Sequence, residues 1–194
     1  MDINQLIASR LRELREAQGL TLAVLAERSG VSRSNISSIE RGESSATATV
    51  LDRLSAALGV TLASLFDKPT QAPSPVSRRD AQPEWTDPVS GYVRRNLSPL
   101  TWSPIQMVEV SFPAGQRIAY ETAARNTDVY QQIWIIEGRL ELTLGETPWQ
   151  LGPGDCLAMK LDQPVSFHNP GDTPVRYLVA LVTQPHKAAR KEDA

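Results

Sequence analysis

Cysteine and histidine are almost absent from this chain of 194 residues, which contains one Cys and two His. A single cysteine, Cys156, excludes an internal disulfide framework and suits a reducing cytoplasm. With His168 and His186 as its only imidazoles, the chain cannot form a metal site of three histidines. It also lacks both an apolar run of about 18 residues and the basic and apolar regions of a secretory signal. The sequence therefore predicts a soluble, cytoplasmic protein with no membrane span.

An excess of positive charge is also missing. The formal net charge is −2, and residues 1–68 carry eight Lys or Arg against eight Asp or Glu. No general basic field surrounds such a domain, so any affinity for nucleic acid would depend on the local placement of arginines.

Apolar residues recur at spacings of three and four over residues 1–68, which indicates helices. Thr21 and Ser32 are suited to cap the second and third helices, and Gly residues end the successive segments. Residues 61–66 would form a short fifth helix. The pattern predicts an all-α bundle of five helices.

The composition changes after residue 68. Residues 69–88 contain five Pro and no Gly, which is typical of an extended linker outside any core. Residues 89–184 then alternate apolar and polar side chains, with turns such as GPGD and NPGD between about eight strand-like segments. This pattern predicts an all-β sandwich or barrel, and residues 185–194 form a polar tail.

The segment VSRSNISSIERG, residues 31–42, has only two large apolar residues after its first position, Ile36 and Ile39. Joined to the preceding helix by a tight turn, it has the form of the second helix of a helix-turn-helix, which enters the DNA major groove. The alternative is that this polar helix is only a solvent-exposed face and does not bind DNA. The candidate base-contacting residues are Arg33, Ser34, Asn35 and Ser38. The candidates for phosphate contacts, with the amides at helix starts, are Thr21, Ser44, Ser45 and Thr47. Ser32, the cap of this helix, is a further DNA-binding candidate.

ASRLRELREAQGLTLAVLAERSGVSRSNISSIERGES, followed by LSAALGV, resembles the DNA-binding domain of phage-repressor-like, xenobiotic-response-element-type regulators. The resemblance covers roughly residues 3–67. It implies that Arg10 of the first helix pairs with Glu40 at the end of the recognition helix. We expect that pair to be structural and not to contact bases.

PAGQRI, IWIIEGRLELTLG, LGPGDCLAM and PVSFHNPGDTPVRYLVAL resemble the two-motif pattern of the cupin domain over about residues 105–183. The resemblance implies a jelly-roll barrel. Metal-bearing cupins have Glu and His ligands where this chain has Gln131 and Val165. The first-motif His pair falls between Ala124 and Thr127, or at Glu121 and Ala123. None of these is His, although Glu121 or Asp128 lies nearby, so we expect no catalytic metal and no cofactor.

A barrel without its metal still offers a cavity for a small molecule. The strand pattern predicts an effector site lined by Arg117, Tyr120, Glu121, Gln131, Ile133, Met159, Val165 and Phe167. The alternative is that these side chains fill a solid core. Trp134 and Ile136 face the other way, toward a second layer or a partner. We expect His168 at the surface and Cys156 buried.

Together these features predict a DNA-binding transcriptional regulator, a repressor, that acts as a homodimer on a palindromic operator. Its cupin domain would sense a small-molecule effector and dimerise. Amino acids, polyamines and short carboxylates all remain open as effectors. A metal-dependent cupin oxygenase or epoxidase with the same two-domain layout is the alternative, and the missing ligands disfavour it.

Overall fold

The N-terminal part of the chain is helical. The computed structural model describes residues 2–66, 74–101, 103–121 and 127–185. Its four α-helices are α1 (Ile3–Ala17), α2 (Leu22–Ser29), α3 (Arg33–Glu40) and α4 (Ala48–Ala57). Thr21, Ser32 and Thr47 each accept a backbone N–H at the start of a helix, which confirms the capping expected of Thr21 and Ser32. No helix of the described residues is both long and apolar enough to cross a bilayer.

The fifth helix predicted from the sequence is instead a 3-10 helix, Leu62–Phe66, so the bundle has four α-helices. The Ser64 amide donates to the carbonyl oxygen of Thr61 at 3.0 Å and to its hydroxyl at 3.2 Å. Both bonds join residues three apart, which closes a 3-10 turn. A segment this short cannot offset the cost of nucleating an α-helix.

Fully buried aliphatic side chains from α1 to the 3-10 helix form the core of the helical domain. They include Leu11, Leu25, Ile36, Leu51, Leu54 and Leu65. Gly30 joins α2 to α3 with a φ of 66°, a left-handed conformation that costs glycine little. The two helices of the predicted helix-turn-helix are therefore held at a tight turn.

The second half of the chain is built from antiparallel strands. They are β1 (Glu84–Thr86), β2 (Val93–Asn96), β3 (Ile105–Phe112), β4 (Arg117–Tyr120), β5 (Thr127–Glu137), β6 (Leu140–Leu144), β7 (Thr147–Leu151), β8 (Cys156–Lys160), β9 (Val165–His168) and β10 (Val175–Pro185). A six-stranded sheet has the order β1-β2-β3-β10-β5-β8, and a four-stranded sheet has the order β4-β9-β6-β7. Within the described ranges no strand pairing joins the two sheets. The expected closed barrel is therefore a two-sheet arrangement, because edge strands of each sheet are left without a partner in the other.

Strict alternation sends one side of each strand into a shared core. In β3, for example, Val108, Val110 and Phe112 are buried while Ile105 and Met107 are exposed. Trp134 lies on the outer face of the six-stranded sheet with 46% of its surface exposed, opposite Cys156 of β8. Cys156 is exposed, so the expectation that it is buried is wrong, since its neighbour Leu157 takes the inward position.

The end of the predicted linker differs from the expectation. Residues 79–81 form a 3-10 turn and residues 84–86 form β1. Trp85 is buried, with its ring centroid 5.9 Å from that of Phe66 and 5.8 Å from that of Tyr92. The prolines of this segment are compatible with the burial of Trp85, because β1 is an edge strand and proline is tolerated beside edge strands. Residues 69–73 of the predicted linker and residues 186–194 of the predicted tail lie outside the described residues.

Several polar contacts join the helical domain to the six-stranded sheet. Asp87 accepts a hydrogen bond from the Ala48 amide at the start of α4, at 2.8 Å. Thr61 donates to the Gln106 side chain at 2.6 Å. The Asn96 side chain donates to the Ala63 carbonyl at 3.3 Å. With the Phe66–Trp85 contact, these bonds seat α4 and the 3-10 helix on strands β1 to β3.

Candidate functional site

The first turn of α3 is exposed while its opposite side is anchored. Arg33, Ser34 and Asn35 are all exposed, whereas Ile36 and Ile39 are buried in the helical core. The Ser32 hydroxyl accepts a hydrogen bond from the Asn35 amide at 3.3 Å and so starts the helix. The predicted base-contacting side chains therefore share one accessible helix end, except for Ser38.

Ser38 lies one turn further along α3, and its surroundings are different. It is half-buried, and its hydroxyl lies 3.5 Å from a carboxylate oxygen of Glu43. Arg41 donates to both oxygens of Glu43, at 2.7 and 2.6 Å, and this hydrogen bonding lowers the pKa of Glu43. The Ser38 hydroxyl is therefore directed to Glu43 and is less available to a base edge than the side chains of the first turn.

The hydroxyls predicted to contact phosphate differ in their hydrogen bonds within the protein. Thr21 accepts from the Val24 amide at 3.2 Å, and Thr47 accepts from the Val50 amide at 3.4 Å. The hydroxyl hydrogen of Thr21 is left to donate, whereas the Thr47 hydroxyl also shares a hydrogen bond with the Thr49 hydroxyl at 3.1 Å. The Ser44 hydroxyl is buried without a hydrogen-bond partner in the described part of the chain. All of them can donate to an anion, although Ser44 first has to be uncovered.

Glu40 at the end of α3 pairs with Arg15 and not with Arg10. The Arg15 guanidinium donates to both carboxylate oxygens, at 2.6 and 2.7 Å, and Glu40 is buried. This hydrogen bonding raises the pKa of Arg15. Arg10 instead donates to the Ser64 carbonyl at 3.4 Å. Arg10 lies five residues before Arg15 on α1, so the helix directs its side chain elsewhere, toward the 3-10 helix. The predicted partner of Glu40 is therefore wrong.

A cavity lies where the two sheets meet the helical domain. Its volume is about 90 Å³, several times the roughly 10–15 Å³ that one ordered water needs. Five of the predicted effector-site residues line it, namely Tyr120, Glu121, Gln131, Val165 and Phe167. The helical domain contributes Asp52 of α4 with Thr61 and Leu62. The cavity is therefore shared between the two domains and is not enclosed by strands alone.

The other three predicted effector-site residues do not line the cavity. Arg117 is exposed because alternation along β4 turns it away from the side that Ile118 and Tyr120 occupy. Ile133 is fully buried, and Met159 is almost so. They lie on the inward faces of β5 and β8, in the packed core. The structure therefore does not bring these three residues together with the other five, and Ile133 and Met159 are packed as the solid-core alternative expects.

Three tyrosines, Tyr92, Tyr120 and Tyr177, belong to the cavity wall. The hydroxyls of Tyr92 and Tyr120 are 3.2 Å apart, and the ring of Phe167 stacks on Tyr177 with centroids 6.3 Å apart. Burial raises the pKa of all three phenols, and the positive charge of Arg94 partly opposes this. The tyrosines therefore remain protonated and can act as hydrogen-bond donors.

The positions of the cupin metal ligands offer no ligand set. Gln131 and Val165 line the cavity but supply at most one amide oxygen. His168 is not among the cavity-lining residues; it is half-buried and lies 2.8 Å from a carboxylate oxygen of Glu141. The described residues contain no cluster of three or more His, Cys, Asp and Glu able to hold a metal. The alternative ligand positions from Ala123 to Asn126 lie outside the described residues.

Two family models match the chain, a helix-turn-helix model over residues 11–65 and a cupin domain model over residues 109–181. The HTH-type transcriptional regulator SutR of Escherichia coli (strain K12) is 28% identical over 178 residues, which cover 91% of this chain and 94% of SutR. The uncharacterized HTH-type transcriptional regulator y4dJ of Sinorhizobium fredii is 37% identical over 73 residues, which are 38% of this chain and 95% of y4dJ. The chain belongs to the HTH-type transcriptional regulators.

The same architecture occurs in a solved structure. An HTH_3 family transcriptional regulator from Vibrio cholerae superposes with a TM-score of 0.74 and 22% identity, covering 93% of this chain and 96% of that one. The similarity supports the two-domain fold. The protein is thus a DNA-binding transcriptional regulator with a cupin domain.

Sequence reasoning missed several cavity residues of this regulator, mostly outside the cupin motifs. Tyr92 precedes β2 and Arg94 lies on it. The sequence pattern assigned this region to the β-domain but predicted no site there. Tyr177 lies on β10, and its alternation with Val179 and Leu181 was a usable signal. Asp52 carried no signal, because contact between α4 and the sheet depends on how the domains dock.

Proposed function

We propose that the regulator reads its operator with Arg33, Ser34 and Asn35. The observation that carries this proposal is the exposed first turn of α3 above a buried Ile36. Arg can donate two hydrogen bonds to guanine, and Asn can form two with adenine. Thr21, Ser32, Ser44, Thr47 and the helix-start amides would fix the register on phosphates. Ser38 would contribute less than expected from the sequence, because of the Glu43 carboxylate beside it.

The test is selection of binding sites from fragmented genomic DNA by the purified protein at near-physiological salt. Arg33→Ala should lose discrimination at one base position, a change of about 1–3 kcal/mol. Arg176→Ala is the matched control, since Arg176 is also exposed but lies in the β-domain. Equal ratios of operator to mismatched binding in Arg33→Ala and the wild type would refute the assignment.

We propose that the regulator acts as a homodimer on a palindromic operator, because one short helix contacts too few bases for specificity in a genome. The surface for the second copy is the outer face of the six-stranded sheet. Trp134 there is opposite Leu178 of β10 and Cys156 of β8, and the exposed apolar residues of β3 and β5 extend the patch. They are Ile105, Met107 and Tyr130. Burial of this apolar face would stabilise the dimer.

Trp134→Glu should shift the protein from dimer to monomer in sedimentation velocity and weaken operator binding. Trp149→Glu is a matched control, because Trp149 is 48% exposed and Trp134 is 46% exposed, but Trp149 belongs to the edge strand β7 of the other sheet. A dimer that survives Trp134→Glu would rule out this face.

We further propose that the cavity binds a small-molecule effector that controls DNA binding. Asp52, Thr61 and Leu62 of the helical domain form part of its wall, so an occupant would contact both domains. An effector can shift the equilibrium between two arrangements of the DNA-binding domains in the dimer only as far as its affinity differs between those arrangements. Repression is the favoured sign because blocking a promoter requires no contact with polymerase. We place this activity in the cytoplasm with the DNA.

A further inference from the structure

We propose that the cavity between the domains is a site for a small oxyanion, a carboxylate or phosphate group, that binds to Arg94. This inference rests on the proposed effector function and names the chemistry of its ligand. The carrying observation is an arginine on the cavity wall whose buried Nε has no hydrogen-bond partner in the described residues.

Arg94 and its neighbour on β2, Arg95, differ in their contacts. On β2, Arg95 is opposite Glu109 and donates to Glu84 with Nε at 2.9 Å and Nη2 at 2.6 Å. Arg94 is opposite the buried Val110 on the inward face, and no carboxylate of the described residues forms an ion pair with it. An inward positive charge without an acid partner is costly unless an anion completes it.

The acidic residues of the wall do not supply that anion. Glu121 is 83% exposed at its side chain and is directed to Arg53, at 3.3 Å. Asp52 already has an interaction partner of its own. Among the described residues Arg94 therefore has a hydrogen bond to the Tyr92 side chain but no ion pair with an acid, and its Nε is left without a partner.

Hydroxyl donors complete the site for an oxyanion. Tyr92 and Tyr120 share one hydrogen bond between their hydroxyls, so one hydroxyl hydrogen of the pair is left for a ligand. Tyr177 also lines the cavity. A guanidinium offers paired N–H donors that match a carboxylate or phosphate. The volume of about 90 Å³ favours a small ligand.

The test measures ligand binding to the full-length protein without DNA, so its result does not depend on whether the operator has been identified. Isothermal titration and thermal denaturation are carried out with acetate, malonate, L-glutamate and inorganic phosphate, and with putrescine and glycerol as cationic and neutral probes. We expect saturable binding of at least one anion. Its identity distinguishes a carboxylate from a phosphate ligand.

Arg94→Gln should lower the affinity for that anion by about 10-fold or more. Arg95→Gln removes the neighbouring outward charge and should leave the affinity within about 3-fold of the wild type, because surface charges contribute little. Tyr177→Phe is a second variant that preserves the ring and removes one donor, and it should weaken the anion less than Arg94→Gln does. Saturable binding of putrescine alone, no saturable binding of any anion, or equal affinity in Arg94→Gln would each overturn the assignment.

Discussion

Asp87→Ala should destabilise the regulator more than any other single removal of a carboxylate from its β-domain. Asp87 is 2% exposed and accepts three hydrogen bonds, from the Ala48 amide at 2.8 Å and from the Ser90 amide and hydroxyl at 2.7 Å each. Truncation leaves two buried amides without an acceptor, at about 1–3 kcal/mol each. It also removes a negative charge from the start of α4, where the helix dipole favours one by about 0.3–1 kcal/mol. We expect a loss of about 3–5 kcal/mol in the free energy of unfolding.

The assay is equilibrium urea denaturation followed by circular dichroism and by tryptophan fluorescence, which reports on Trp85 beside the same contact. Asp87→Asn retains one oxygen acceptor and should lose roughly half as much. Asp155→Ala is the control, because Asp155 is exposed and its carboxylate accepts a hydrogen bond from the Gly152 amide at 2.8 Å. If Asp87→Ala is no less stable than Asp155→Ala, the contact between α4 and the β-domain does not hold the domains together as argued.

Three further predictions follow from the buried and cavity-lining groups. Glu40→Ala leaves the guanidinium of Arg15 without its buried partner and should lower the free energy of unfolding by about 3–5 kcal/mol, measured by the same denaturation, whereas Glu40→Gln should lose less. Burial raises the pKa of Tyr120 and Tyr177, so the stability they contribute is fully present below about pH 10, the ordinary tyrosine pKa, and is lost as pH rises further. Spectrophotometric titration should show these phenols ionising together with unfolding, and titration at about pH 10 in the folded state would contradict their burial. Treatment with a chelator should leave operator binding unchanged in a gel-shift assay, since Gln131 stands at a cupin ligand position; loss of binding restored by iron or zinc would contradict this.

Local pattern predicted the elements of this fold better than it predicted their contacts. The strand IQMVEVSF was predicted over the residues that β3 occupies, 105–112, because alternation depends only on which face is buried. Caps at Thr21 and Ser32 could be predicted because they depend on residues three positions away. The fifth helix was predicted wrongly because apolar spacing alone does not distinguish a 3-10 turn from an α-helix over five residues.

The cavity shows where sequence reasoning stops. Alternation placed Gln131, Val165 and Phe167 on the inward face, and the cavity is lined by them. It could not separate cavity from packed core, so Ile133 was included, although it is fully buried. The wall formed by Asp52 could not be predicted because it follows from domain docking, which depends on contacts between distant parts of the chain.

One hairpin links the cavity to the DNA-reading domain. Residues 84–96 carry Trp85 against Phe66, Asp87 on the α4 start, and Tyr92 and Arg94 on the cavity wall. An anion bound to Arg94 would therefore act on the same hairpin that fixes α4. By linkage, if the anion changes operator affinity by some factor, operator DNA must change anion affinity by the same factor. The coupling should shrink in Asp87→Asn, which weakens the shared contact, while anion affinity without DNA changes little. Unequal factors measured under the same conditions would mean that a third equilibrium, such as dimer dissociation, lies between the two sites.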